Sequence, residues 1–293
     1  MIFFSELRGL KKQPMKSTRL LLNLYLACVF ALAFTGCKDD DENEKDYQSQ
    51  TTVATESGTA QQVFNNAKFY ADKVMAMAGS AKTGTLDTVY TEECLVATLD
   101  MTSTPNVLTL DFGTENCLCA DGLYRRGKII ASFTGMYFYP GTVVNFSFDN
   151  YYVNDNHIEG TKTVTNMGLN NSGNLYWDIV VNGQITKPNN GGTFTWIAHH
   201  EIEYAEGMTT PMDYSDDLFK VTGSATGTTT AGQTYTNTIV TPLEIRLTCE
   251  WIGKGVINIE PAGWPLFVLD YGDGTCDSTA TLTVDGQVFT ISL

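Results

Sequence analysis

The segments Leu110-Asp111-Phe112-Gly113-Thr114-Glu115-Asn116-Cys117 and Leu269-Asp270-Tyr271-Gly272-Asp273-Gly274-Thr275-Cys276 share one pattern, Leu-Asp-aromatic-Gly-x-x-x-Cys. Each copy has a cysteine upstream: Cys94 lies 23 residues before Cys117, and Cys249 lies 27 before Cys276. If a strand begins with the first cysteine and a hairpin returns, the glycine turn delivers the second thiol beside it. The predicted disulfides are Cys94–Cys117 and Cys249–Cys276, with Cys119 left over or exchanging with Cys117. Each bridge closes a loop of about 25 residues, worth roughly 3 kcal/mol in the chain-entropy picture. Reduced core thiols are the alternative. Cys119 has only acidic neighbours in sequence, which raise a thiol pKa, so it reads as an odd thiol rather than a nucleophile.

Other side chains could hold a metal or a ligand. Asp270, Asp273 and Asp277 surround the second glycine turn and offer hard oxygen ligands suited to Ca²⁺, although the spacing is not that of an EF-hand. A turn shaped for the neighbouring disulfide explains the same residues. Asp213, Asp216 and Asp217 form a second acidic loop. His199, Glu201 and Glu203 project from one face of a strand at steps of two, with His200 on the other face; a solvated strand face is the plainer reading. Paired carboxylates for glycoside hydrolysis would need a cleft that sequence cannot display. Aromatic residues come in adjacent sets, Tyr137-Phe138-Tyr139 and Tyr151-Tyr152, with Trp264 between Gly263 and Pro265. Neighbours on a strand face opposite ways, so each set should leave a ring outside the core. Tyr137, Tyr139, Tyr151 and Trp264 are the candidate binding residues, suited to stacking on sugar faces or a protein partner. Burial of both faces under other structure is the competing reading. No Gly-x-Ser-x-Gly elbow, P-loop, His-Glu-x-x-His or strand-following Gly-x-Gly-x-x-Gly occurs, so a non-enzymatic role is expected.

The N-terminus concerns location. Lys16 and Arg19 precede an apolar run, Leu20 to Phe34, of 15 residues, too short to span a bilayer comfortably. Met15 followed by Lys16 would start a signal of normal length. Phe34-Thr35-Gly36-Cys37 resembles the lipobox of bacterial lipoproteins, with Phe34 in place of the usual aliphatic residue. Lys38-Asp39-Asp40-Asp41-Glu42 behind it resembles the export signal of Bacteroidota surface lipoproteins. The resemblance covers residues 15–46 and implies a diacylglycerol on Cys37 and display on the outer face of the outer membrane. A chance cysteine after a plain secretory signal is the alternative.

These features divide the chain into a signal (1–36), an acidic polar tether expected to be unstructured (37–56) and a folded body (57–293). The helix expected within the body covers 59–79. It starts at the capping-box spacing of Thr59 and Gln62, continues through Val63, Ala67, Tyr70, Val74 and Met77, and stops at Gly79. From about residue 85 the period changes to two. Leu175, Trp177, Ile179 and Val181 alternate with neighbours, Phe194 to Tyr204 does likewise, and Leu243 to Trp251 forms a third such run. Asn182-Gly183 and Asp285-Gly286 suggest two-residue hairpins, because both positions of such turns take positive φ. The predicted fold is mainly β: an antiparallel β-sandwich or large curved antiparallel sheet of 12–16 strands with one N-terminal amphipathic helix.

The 293 residues carry 18 Lys/Arg against 33 Asp/Glu, a net −15. That balance excludes a nucleic-acid partner, which would need clustered positive charge. The expected function is therefore that of a lipid-anchored outer-membrane surface module binding a glycan or an envelope protein. A carrier of an apolar ligand or lipid, enclosed between helix and curved sheet, is the second expectation, and a fimbrillin-like adhesin subunit the third.

Overall fold

A computed structural model describes residues 40–78, 86–92, 94–210, 213, 215–249 and 251–292. The signal, Cys37 and Gly79 lie outside them. The chain divides into two units, 1–47 and 48–293, and every strand belongs to the second.

Helix α1 (Asp40–Ala78) precedes fifteen strands. They are β1 (Leu86–Glu92), β2 (Leu95–Asp100), β3 (Asn106–Asp111), β4 (Cys117–Leu118), β5 (Tyr124–Phe133), β6 (Val143–Val153), β7 (Asn156–Leu169) and β8 (Leu175–Thr186). Then come β9 (Thr193–Glu206), β10 (Leu218–Thr228), β11 (Thr234–Arg246), β12 (Lys254–Pro261), β13 (Phe267–Asp273), β14 (Thr279–Val284) and β15 (Gln287–Ser292). All pairings are antiparallel and the order is sequential, a single meander from β1 to β15. The short β4 pairs β5 off this path. The expected mainly-β antiparallel architecture with one helix is the one observed.

The sheet curls around the helix. Phe69 packs on Phe219 of β10 and its neighbour Tyr70 on Phe112, just after β3, with ring centroids 5.1 and 5.5 Å apart. In a flat sheet the six interstrand steps from β3 to β10 would span roughly 29 Å. Two adjacent helical residues reach both strands because the sheet bends. Register shifts in several pairs, among them β5–β6, β6–β7 and β10–β11, supply bulges that bend strands in this way.

Enclosure changes what the helix can bury. Val53, Ala54 and Glu56 are buried, so the chain expected to be a tether up to residue 56 is instead helical from Asp40 and packed from Val53 onward. Thr59 does not cap it: its hydroxyl donates to the Thr55 carbonyl at 2.8 Å, inside the helix. The polar residues find partners on the surrounding strands and loops. Glu56 accepts from Lys187 Nζ at 2.6 Å and from the Thr230 amide and hydroxyl, and Ser57 bonds Asn237. Lys68 pairs with Asp72 and sits 3.7 Å from the Trp177 ring centroid. Tyr137 donates to Asp72 at 3.0 Å. Burial keeps His200 neutral, with a pKa near 3, and its Nδ1 faces Gln61 at 3.5 Å.

Of the two expected hairpins, one is present. Asp285 and Gly286 both have positive φ and join β14 to β15. Asn182 and Gly183 lie inside β8, where Gly183 serves close approach rather than a turn. A Cβ there would come within 2.2 Å of the Phe64 ring, which stacks on Trp196 at 5.7 Å. Gly183→Ala should therefore destabilise the fold by about 1–3 kcal/mol through overpacking. Urea denaturation of Gly183→Ala, Phe64→Leu and the double variant checks this. The double variant should cost less than the sum of the singles, and strict additivity would show that the ring is not the obstacle.

Candidate functional site

Both disulfides form as the duplicated pattern predicts: Cys94–Cys117 and Cys249–Cys276, with Cα separations of 5.5 and 5.7 Å. The two copies also fold alike. Asp111 Oδ1 accepts from the Gly113 amide and Asp270 Oδ1 from the Gly272 amide, both at 2.9 Å. The aromatic between them, Phe112 or Tyr271, turns into the core. Each copy thus makes a tight corner, with a cystine beside a buried ring.

Between these corners and the helix lies a cavity of about 870 Å³. The helix contributes Gln62, Asn65, Asn66, Phe69, Tyr70 and Lys73. The first copy and its surroundings contribute Glu92, Cys94, Leu95, Phe112, Leu118, Cys119, Ala120 and Asp121. The far wall is the end of β11 and the segment after it, residues 245–249, 251 and 252, with Cys276. Gln62 and Cys276, from opposite ends of the folded body, therefore share one hollow.

Its walls are mixed: apolar side chains such as Leu95, Phe112, Ile245 and Leu247 stand beside Gln62, Asn66, Lys73, Glu92 and Asp121. Lys73 Nζ meets Glu92 Oε2 at 3.2 Å, and Tyr90 donates to the same oxygen. Burial pushes the Lys73 pKa down, but the bonds to Tyr90 and Glu92 more than offset this and leave it raised. Asp121 receives both terminal nitrogens of Arg125, at 2.6 and 2.5 Å. Burial drives the Tyr70 hydroxyl well above its usual pKa. Cys119 is the one free thiol among the described residues. Burial raises its pKa, so it stands as a protonated apolar wall group rather than a nucleophile. Asn65 is buried, yet its Nδ2 has no hydrogen-bond partner among the described residues.

The other expected site residues do not converge here. Asp270, Asp273 and Asp277 each spend Oδ1 on their own turn, bonding the amides of Gly272, Thr275 and Thr279. Asp213 holds Ser215, Asp216 holds Thr210, and Asp217 accepts from Tyr204. His199 is bound to Asp178 at 2.6 Å, and Glu203 accepts from Asn170 and Asn174, which lower its pKa. Among the described residues no group of three or more His, Cys, Asp or Glu is placed to hold a metal ion.

The aromatic candidates separate. Tyr137 and Tyr151 lie in the core, not on the surface, because the inward position of each set falls on them. Tyr139 is 61% exposed, with Phe138 beside it at 45%. Trp264 is half-buried against Phe267. Tyr152, the outward ring of its pair, is covered by the Arg126 guanidinium at 3.8 Å. The residues missed in the sequence are Gln62, Asn65 and Asn66. Their one signal is the pair of amide doublets, Gln61-Gln62 and Asn65-Asn66, set between the apolar residues of the helix.

No protein-family model, curated protein or solved structure matches this chain.

Proposed function

We propose that this protein is an outer-membrane surface lipoprotein, anchored through Cys37, whose β-body holds an apolar small molecule between its helix and its two disulfide corners. The cavity carries this reading. Its volume of about 870 Å³ falls in the range of small-molecule sites, roughly 300–1,000 Å³. Such sites combine apolar walls with placed polar groups, and here Leu95, Phe112, Ile245 and Leu247 supply the apolar part and Asn65 and Asn66 neutral polar groups. A packed interior would have spoken for a purely structural subunit. The lipobox-like Phe34–Cys37 and the acidic stretch after it support the anchor and the outward address.

One pair of full-length chains tests both halves. The natural chain should incorporate labelled palmitate and be cleaved by protease added to intact cells, and Cys37→Ser should lose the label. The Cys37→Ser chain, exported to an oxidising compartment, should enhance the fluorescence of the apolar probe N-phenyl-1-naphthylamine. Asn66→Trp, which projects an indole into the cavity, should abolish that signal without lowering the melting temperature by more than a few degrees. Absence of probe binding in the Cys37→Ser chain would remove the carrier reading.

A second reading rests on a separate surface. Met136, Phe138 and Tyr139 are exposed on the loop between β5 and β6, and Met167 and Leu169 are exposed at the end of β7. Pro140 contacts the position of Gly168, which brings the two groups together. A glycan or envelope-protein partner would dock on this patch.

A further inference from the structure

We propose that the ligand of this cavity is a neutral amphiphile: a hydrocarbon chain ending in an uncharged hydrogen-bond acceptor, such as an ester, amide or alcohol oxygen, seated at Asn65. The inference rests on the cavity reading above and adds the chemistry of the ligand's head.

The wall offers a donor in need of an acceptor. Asn65 is 4% exposed, lines the cavity, and leaves Nδ2 without a partner among the described residues. A buried donor left unmade carries a standing desolvation cost, which an acceptor supplied by a ligand removes. The Nδ2 atom itself is enclosed, so a ligand's acceptor meets it only when the carboxamide turns about its soft terminal torsion. One helical turn further on, Phe69 begins the apolar wall that Leu95, Phe112 and Leu247 continue, giving a chain somewhere to lie.

Among the described residues the wall offers no charge in need of a counter-charge. The cations described there are Lys73, held by Glu92 at 3.2 Å, and Arg246, facing Glu206 at 3.5 Å. The carboxylates described there, Glu92 and Asp121, are held by Lys73 and Arg125. An anionic head such as a carboxylate would lose water and gain no free cation. It would also approach a chain of net charge −15. An ammonium head would meet carboxylates already engaged.

Displacement of N-phenyl-1-naphthylamine from the full-length Cys37→Ser chain at about pH 8 decides the matter. The competitors are methyl palmitate, 1-hexadecanol, palmitate and hexadecylamine, which share a chain and differ in the head. The two neutral ligands should displace the probe at concentrations about tenfold below the charged pair. Asn65→Leu should weaken methyl palmitate about five- to tenfold more than it weakens the probe measured directly on the same variant, the worth of one hydrogen bond. Asn65→Gln, which keeps the donor, should recover part of the loss. Palmitate or hexadecylamine competing as well as the ester would overturn the neutral-head assignment, as would an Asn65→Leu chain that weakens the ester no more than the probe. If Asn65→Leu fails to fold, the ester-to-carboxylate preference of the unsubstituted position decides alone. Failure of the probe to bind at all strikes the cavity reading instead, so the two failures are distinct.

Discussion

Raising the pH from 7 to 10 should stabilise this fold by several kcal/mol, and Lys162→Met should abolish that rise. Lys162 lies on β7 with none of its surface exposed, and its Nζ donates to the Phe64 carbonyl of the helix at 2.6 Å. Burial lowers its pKa from 10.5 to about 7; repulsion from Lys68 adds to the fall and Asp72 opposes it. Proton counting gives the sign. Between the folded pKa near 7 and the unfolded pKa of 10.5, the unfolded chain holds a proton that the folded chain has released. Stability therefore climbs with pH across that window. Each pKa unit corresponds to 1.36 kcal/mol, so the climb approaches about 5 kcal/mol if no other group titrates.

Other groups bound the window. Burial raises the pKa of Cys119, Tyr137, Tyr235 and Tyr271, so each gives up stability once its unfolded counterpart ionises, above about pH 9 or 10. On the acid side, His200 binds a proton in the unfolded chain near pH 6.5 but in the fold only near 3, so stability falls as pH drops between those values. Urea denaturation at intervals from about pH 4 to 10 should show a rise in two stages and a decline at the alkaline end. Lys162→Met should keep the acid stage, lose the second, and be the more stable protein near pH 6, because an apolar side chain of similar length replaces a buried charge. A flat profile from 7 to 9 in the unsubstituted protein would mean that Lys162 is not titrating in that window.

Lys162 also shows where sequence reading stopped. Alternation along β7 puts Lys162 on the face of Ile158, Val164 and Asn166, all buried. A charge at such a position argues for solvent unless something is known to lie opposite, and the helix carbonyl that receives it is 98 residues away in sequence. Period-two runs revealed the strands because each strand's faces are a local property. The duplicated Leu-Asp-aromatic-Gly-x-x-x-Cys pattern revealed the disulfides because loop closure there is local too. Residues 51–56 read as tether because polar side chains are weighed against water, whereas Glu56 is answered by Lys187 and Thr230. Asn182-Gly183 carries a turn signature, yet its glycine answers the Phe64 ring instead. The cavity was least legible of all. Asn65, Leu95 and Cys249 become neighbours only when a meander of fifteen strands curls, and no local pattern encodes that curl.

Arg125→Ala should cost about 3–5 kcal/mol, the range for breaking one partner out of a buried ion pair. Arg125 is 1% exposed on β5, and both its terminal nitrogens are committed to Asp121. Its guanidinium lies 4.9 Å from the Tyr70 ring centroid, so the pair also braces the helix where the cavity wall begins. Removing the arginine leaves the Asp121 carboxylate with the Leu123 amide at 3.3 Å and the Tyr70 hydroxyl at 3.4 Å, both long contacts. Asp121→Ala strands the other charge, which is the more deeply buried of the two, and should cost at least as much. The double variant Arg125→Met with Asp121→Leu strands neither. It should recover most of the loss, since apolar residues of similar volume often match or exceed a buried pair in stability. Urea denaturation of the four proteins closes the cycle, and the expected coupling is of the same order as the single losses. Singles that each cost less than about 1 kcal/mol would place the pair with solvent-screened surface bridges. Probe binding adds a separate measure: the double variant should retain the cavity's affinity for N-phenyl-1-naphthylamine, because Asp121→Leu replaces a wall carboxylate with an apolar side chain that an uncharged ligand tolerates.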